Sequence, residues 1–184
     1  MPYSYPITNS NLYVTITGST NTKIEDVNIV LKRLDDLVKG KIYQIFDADK
    51  IADQRHLYYA AANAFYAMEN GSNISNRLDV ETLLYASTQN QISKAIKMIG
   101  ASKKTKNIAI LVISDIFNDP TVEKIVNFLG NMDNKVISKN PAKFEKLKEL
   151  YDVTSNSINA VGGDEYDALV SLITEKGALI SLRR

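Results

Sequence analysis

The stretch NIAILVIS, residues 107–114, is a nearly unbroken apolar run of strand length. Strands that are buried on both faces are continuously apolar rather than alternating, so this pattern predicts a central strand covered on both sides. Upstream, LYVTIT (12–17) alternates in period two and is rich in β-branched residues, and KIYQIF (41–46) is a further predicted strand. A fourth strand is predicted for ALISL (178–182), after a break at Gly177.

Helical patterns fill the intervals between these strands. Apolar residues recur at steps of three or four, and caps such as Asp119-Pro120 and Asn140-Pro141 mark helix starts. Helices are predicted from Thr22 to Gly40, over 50–69, 76–87 and 90–99, from Pro120 to Gly130, and after Asn140, Thr154 and Asp164. The order predicts one α/β domain over residues 1–184, a mixed four-stranded sheet with seven or eight helices packed around it.

Composition excludes several classes of protein. Apolar residues make up 45% and charged residues 23% of the chain, which is typical of a soluble globular protein. The absence of cysteine excludes disulfides and thiol catalysis and fits a reducing cytosol, so we expect a cytoplasmic protein. The N-terminus lacks a signal-peptide pattern, and no apolar run approaches the roughly 18 residues of a membrane span. The net charge of +1 predicts neither membrane nor nucleic-acid binding.

The common catalytic motifs are absent. The chain has no GxGxxG, GxxxxGK[ST], HExxH or GxSxG, and its one histidine, His56, lies in the alanine-rich helix 50–69. His56 is either packed and hydrogen-bonded or, with Arg55, faces a binding groove. Asp47 and Asp49 follow a strand, where capping is favoured over magnesium binding. We therefore expect no catalytic residue, metal or cofactor; a small magnesium-dependent phosphoryl- or nucleotide-handling enzyme using Asp47 and Asp49 is the alternative.

The segment GSNISNRLDVETLLYASTQNQISKAI (71–96) mixes polar residues with helix-spaced apolar ones. Arg77 and Glu81 are four residues apart within a predicted helix, so we expect them to form an ion pair. Ile92 and Ile96 have helical spacing, which is typical of core residues more often than of a platform for bases. No nucleophile–base pair occurs in the segment, which favours a binding protein over an enzyme.

Three segments in order carry a resemblance to a known family. These segments are FDADKIADQRHLYYAAANAF (46–65), NISNRLDVETLLYAS (73–87) and QISKAIKMIG (91–100), and the apolar strand follows them. Together they resemble the small kinase-binding subunit of the KEOPS/EKC complex, the PRPK-binding protein family. The resemblance implies a non-catalytic subunit that binds the kinase-like ATPase subunit of the complex. It also implies recruitment of tRNA through the 3′ CCA end for threonylcarbamoyl-adenosine modification, and an indirect association with the transferase subunit.

The density of motif residues and the chemistry of their side chains suggest where these partners bind. We expect the RNA tail in a groove between helix 50–69 and the 73–96 hairpin, with basic residues on phosphates, isoleucines on bases and polar side chains as hydrogen-bond partners. The expected tail residues are Arg55, His56, Asn73, Ile74, Ser75, Arg77, Gln91, Ile92, Lys94 and Ile96. The kinase-like subunit is expected on the last long helix, at Leu169, Leu172 and Ile173, for which a place in the core is an equally good interpretation.

Overall fold

The computed structural model describes residues 1–182, and the chain forms two compact units. The first unit comprises Met1–Asp49 and Gly100–Ile137, and the second comprises Lys50–Ile99 and the residues from Ser138 onward. The last two positions of the predicted domain, 183 and 184, lie outside the described residues. In chain order the elements are β1 (Tyr3–Pro6), β2 (Tyr13–Thr20), α1 (Val27–Leu37), β3 (Ile42–Asp47), α2 (Gln54–Glu69), α3 (Leu78–Ser87), α4 (Ile92–Ile99), β4 (Ile108–Ser114), α5 (Thr121–Leu129), β5 (Asn131–Met132), α6 (Phe144–Leu150), α7 (Ser155–Val161) and α8 (Glu165–Ala178).

The first unit is built on an antiparallel sheet with the order β1-β2-β4-β3, and β5 extends it beside β2. The eight α-helices within residues 1–182 confirm the α/β class and the predicted helix number. The sheet differs from the expectation, because it has five strands and every strand pair in the described range is antiparallel. Apolar patterning indicates that a strand is buried but carries no information on the direction of its neighbour.

Strand β4 is central, as its apolar run predicts, and all seven of its residues are buried. Its alternate residues Ile108, Ile110 and Val112 join Ile45 of β3 in a cluster with side chains of α1 and α5. Ala109, Leu111 and Ile113 point to the opposite face because side chains alternate along a strand. Burial on both faces therefore explains why β4 contains no polar residue before Ser114.

The second unit is helical. Helix α2 packs against α3 and α8, α3 also contacts α4 and α8, and α6 and α7 contact α8. The predicted strand 178–182 is wrong, because α8 continues to Ala178 and a 3₁₀ turn covers Ile180–Leu182. A short apolar run fits a buried helical end as well as a strand, and Ile180 is buried here. No helix in residues 1–182 has both the length and the apolarity needed to span a bilayer.

A 3₁₀ turn, Ala48–Lys50, and a non-helical stretch, residues 51–53, precede α2, where the sequence predicted a helix from residue 50. The carbonyl oxygens of residues 50–52 accept hydrogen bonds from three side chains of the C-terminal half of the second unit. The Tyr151 hydroxyl donates to residue 50 at 2.9 Å, Lys143 Nζ to residue 51 at 3.4 Å, and the Tyr166 hydroxyl to residue 52 at 2.6 Å. These bonds satisfy backbone groups that a helix would have satisfied internally.

Candidate functional site

Arg55 is held between two carboxylates at the start of α2. Asp53 is the N-cap of the helix, accepting hydrogen bonds from the backbone N–H groups of Arg55 at 2.9 Å and His56 at 3.3 Å. Its carboxylate also pairs with the Arg55 guanidinium at 2.5 Å, and Asp167 of α8 pairs with the same group at 2.7 Å. The hydrogen bond to Asp53, aided by Asp167, raises the pKa of Arg55 above its ordinary value. A phosphate at Arg55 would therefore compete with two carboxylates.

His56 is buried rather than exposed in a groove. Its side chain is 1% exposed, Nε2 lies 2.9 Å from the carbonyl oxygen of Ala86, and Nδ1 accepts the N–H of Ala52 at 3.4 Å. This pattern fixes the neutral tautomer with the proton on Nε2. Burial lowers the pKa of His56 to about 4, so the ring is neutral at pH 7. The geometry matches the packed, hydrogen-bonded interpretation and leaves His56 out of reach of an RNA.

The loop before α3 is organised around Glu81. The Glu81 side chain is fully buried and accepts the backbone N–H of Ile74 at 3.0 Å and that of Ser75 at 2.6 Å. Asn73 Nδ2 donates to the carbonyl oxygen of Ser75 at 3.0 Å, and Ser75 Oγ accepts the N–H of Arg77 at 3.3 Å. We call residues 73–77 the loop patch. The side chains of Asn73, Ile74 and Ser75 are half-buried and therefore partly accessible.

The predicted ion pair between Arg77 and Glu81 is wrong. The Arg77 guanidinium instead pairs with Asp79, Nε to Oδ1 at 3.1 Å and Nη2 to Oδ2 at 2.5 Å. The helix begins at Leu78, so Arg77 is the N-cap residue with extended backbone and does not share a helical face with Glu81. The Arg77 side chain is 72% exposed and can be reached by a phosphate.

Helix α4 carries the exposed apolar residues of the predicted site. Ile92 is 46% and Ile96 53% exposed, whereas Ala95 and Ile99 on the same helix are buried. The two isoleucines are one turn apart and form a short apolar stripe on the surface. A core role therefore does not apply to them.

The basic residues of α4 differ in their relation to this stripe. At about 100° per residue, Lys97 lies about 100° around the helix from Ile96, and Lys94 lies about 160° away. Both lysines are exposed. Lys97, which the sequence interpretation did not select, is therefore the closer basic neighbour of the stripe. We call Ile92, Ile96 and Lys97 the α4 patch. Gln91 is also exposed, and its carbonyl oxygen accepts the N–H of Ala95 at 3.0 Å.

The two patches lie at different ends of α3 in the chain. The loop patch precedes its first residue and the α4 patch follows its last, and ten helical residues span about 15 Å. Helix α2 packs directly against α3, so their own side chains take up the space between them. The loop patch and the α4 patch therefore flank α3 in the chain, and a groove for the tail between α2 and the hairpin stays a prediction.

The residues expected to face the kinase-like subunit divide between core and surface. Leu169 and Ile173 of α8 are fully buried, which matches their interpretation as core residues. Leu172 is half-buried, so it is the residue of the three that reaches the surface.

The two strand-end aspartates make local hydrogen bonds. Asp47 Oδ1 accepts the N–H of Asp49 at 3.2 Å at the start of the 3₁₀ turn Ala48–Lys50, and Asp49 Oδ1 accepts Asn107 Nδ2 at 3.3 Å. These contacts match a turn-forming role for Asp47, while the N-cap of α2 is Asp53 rather than Asp49. Throughout residues 1–182, no group of three or more histidine, aspartate or glutamate side chains is placed to hold a metal ion.

Comparison with known proteins identifies the family. Residues 22–179 match the model of the family described as kinase binding protein CGI-121. The regulatory protein Cgi121 of Methanocaldococcus jannaschii is 30% identical over 146 residues, which cover 79% of this chain and 87% of that protein. The family match includes α2, α3, α4 and α8, and thus both patches and Leu172. The chain therefore belongs to the CGI-121 family of kinase-binding proteins.

Proposed function

We propose that this chain is a non-catalytic accessory subunit of the KEOPS complex. It binds the kinase-like ATPase subunit and recruits tRNA through the 3′ CCA end for threonylcarbamoyl-adenosine modification. Membership of a kinase-binding family supports the first part. The observation that carries the second part is the α4 patch, where two half-exposed isoleucines and an exposed lysine lie on one short helix.

The patches have the chemistry that a single-stranded RNA end requires. Unpaired bases present apolar faces, which Ile92 and Ile96 can cover, and base edges, which Asn73 and Ser75 can reach by hydrogen bonds. Phosphates need cations, and Lys97 supplies one on the same helix as the stripe. The exposed Arg77 supplies a second cation in the loop patch, and Gln91 an amide next to α4.

The remaining basic candidates have smaller roles in this proposal. Lys94 lies on the far side of α4 from the apolar stripe, so it contributes mainly to the local potential. Arg55 is engaged by Asp53 and Asp167, so we assign it to the stability of the second unit. His56 has no part in binding, because its ring is buried.

For the protein partner, we propose that α8 contacts the kinase-like subunit through Leu172. Leu169 and Ile173 pack in the core and hold the helix in place. The transferase subunit is then reached indirectly, through the kinase-like subunit. The same proposal places the protein in the cytoplasm, where tRNA modification occurs.

Binding of intact tRNA, compared with tRNA that lacks CCA, tests the RNA role. We expect wild-type protein to prefer intact tRNA, and the double variant Arg77→Glu/Lys97→Glu to lose about tenfold or more of that affinity, equivalent to about 1.4 kcal/mol. The matched control is Lys103→Glu/Lys104→Glu on an exposed turn of the first unit, because both double variants change the net charge from +1 by the same amount. An equal loss of tRNA affinity in both double variants would show that net charge causes the effect, and it would refute the assignment of Arg77 and Lys97 to the RNA-binding surface.

A further inference from the structure

The buried carboxylate of Glu81 is not among the predicted tail-binding residues, and its partners are backbone amides of the loop patch. An ionised side chain is costly to bury unless hydrogen bonds compensate. Its compensation comes from two consecutive backbone amides, those of Ile74 and Ser75, over distances of 2.6 to 3.2 Å. Glu81 also lies in the first turn of α3, where a negative charge is favoured by the helix dipole.

These bonds restrain the loop patch before any ligand arrives. Two amides bound to one carboxylate fix the backbone at residues 74 and 75, and the bond from Asn73 Nδ2 to the Ser75 carbonyl closes the turn on its other side. Loops are usually mobile, and ordering one on binding costs affinity. A loop that is already ordered avoids this cost.

We propose that Glu81 is a positioning residue, which holds the loop patch in the shape that receives the RNA tail without touching the tail itself. This inference rests on the proposed tRNA role. Because Glu81 is fully buried, its influence passes through the amides of Ile74 and Ser75 to the exposed parts of the loop. The alternative is that Glu81 stabilises the fold alone, in which case its loss would lower stability and leave tail binding unchanged.

The variant Glu81→Gln separates the two roles. Glutamine has the same length but lacks the negative charge and keeps one acceptor oxygen. With that oxygen at the Oε2 position, which lies near both amides, its NH₂ group faces the N–H of Ile74, so the bonds to the loop amides weaken. We expect the amide hydrogens of Ile74 and Ser75 to exchange faster and the affinity for a short single-stranded RNA ending in CCA to fall about tenfold. Capture of the kinase-like subunit should be unchanged.

Thr82→Val is the matched control. Thr82 is the next residue of α3 and is equally buried, and its hydroxyl donates to the carbonyl oxygen of Leu78 at 2.7 Å, within its own helix. We expect this variant to lower stability while both the exchange of the loop amides and the RNA affinity stay at the wild-type level. Loss of RNA affinity in Thr82→Val as large as in Glu81→Gln would overturn the positioning role.

The remaining outcomes are distinguishable. Faster amide exchange in Glu81→Gln with unchanged RNA affinity overturns the positioning role and leaves the proposed function intact. If wild-type protein shows no preference for CCA, the proposed function fails and the inference fails with it, even where the amides remain protected. Should Glu81→Gln not fold, amide exchange in the free wild-type protein decides, because rapid exchange at Ile74 and Ser75 would show that the loop is not ordered in advance.

Discussion

Acidification from pH 7 to pH 5 should destabilise the protein through its one histidine. Burial lowers the pKa of His56 from 6.5 to about 4, so between these values the unfolded chain binds a proton that the folded protein excludes. The stability is complete above pH 6.5 and is lost as the pH falls towards 4. One pKa unit is worth about 1.4 kcal/mol, and pH 5 lies about 1.5 units below the unfolded value, so we expect a loss of about 2 kcal/mol.

Urea unfolding at the two pH values measures this loss. Ordinary aspartates and glutamates titrate below pH 5, so the window isolates the histidine. The variant His56→Gln should be less stable at pH 7, because it disturbs the bonds to Ala52 and Ala86, but its stability should hardly change between pH 7 and pH 5. Wild-type stability that does not change in this window would refute the reasoning. So would an NMR titration in which the folded-state ring titrates near 6.5.

Three further outcomes are expected. Leu172→Asp should abolish capture of the kinase-like subunit in a pull-down, whereas Val161→Asp, at an exposed position of α7, should not. Equal capture by the two variants would show that α8 does not contact the kinase-like subunit through Leu172. Ile92→Ser should weaken binding of CCA-ended RNA about fivefold or more, while Ile116→Ser, which alters a similarly exposed isoleucine in the first unit, should leave the measured affinity unchanged. Gly177→Ala should lower the free energy of unfolding by about 1–3 kcal/mol in urea titrations, because its Cβ would lie 2.6 Å from a carbonyl oxygen of α3; unchanged stability would show that the two helices can separate at little cost.

The sequence predicted most helices and strands because their apolar periodicity reflects burial. The central position of residues 107–114 followed from an unbroken apolar run, and the caps Thr154 and Asp164 marked real helix starts. Each wrong prediction has a physical cause. Residues 50–52 satisfy their carbonyl groups through distant side chains, which no local pattern contains, and the apolar run 178–182 fits a buried helix end equally well.

The candidate site was less predictable than the fold. The segment 73–96 could be selected as a candidate site from its residue types. Which groups its charged side chains bond to could not be predicted in the same way. Spacing suggested that Arg77 and Glu81 pair, yet the helix begins between them and Glu81 turns inward to the loop amides. The N-cap Asp53, which also engages Arg55, carried a usable signal, because an aspartate precedes the apolar face of α2.

The bonds to the carbonyl oxygens of residues 50–52 have a consequence for synthesis of the chain. The donor side chains lie about 90 residues or more downstream, so they are synthesised long after residues 50–52 and these carbonyl groups lack these donors until then. The first unit, in contrast, is complete once Ile137 has emerged from the ribosome. We expect stalled chains in which residues 1–137 are followed by a flexible linker long enough to clear the ribosomal tunnel to resist protease in the first unit and to be cut between residues 50 and 99. Protection of that stretch in such chains would show that its helices fold without the downstream donors.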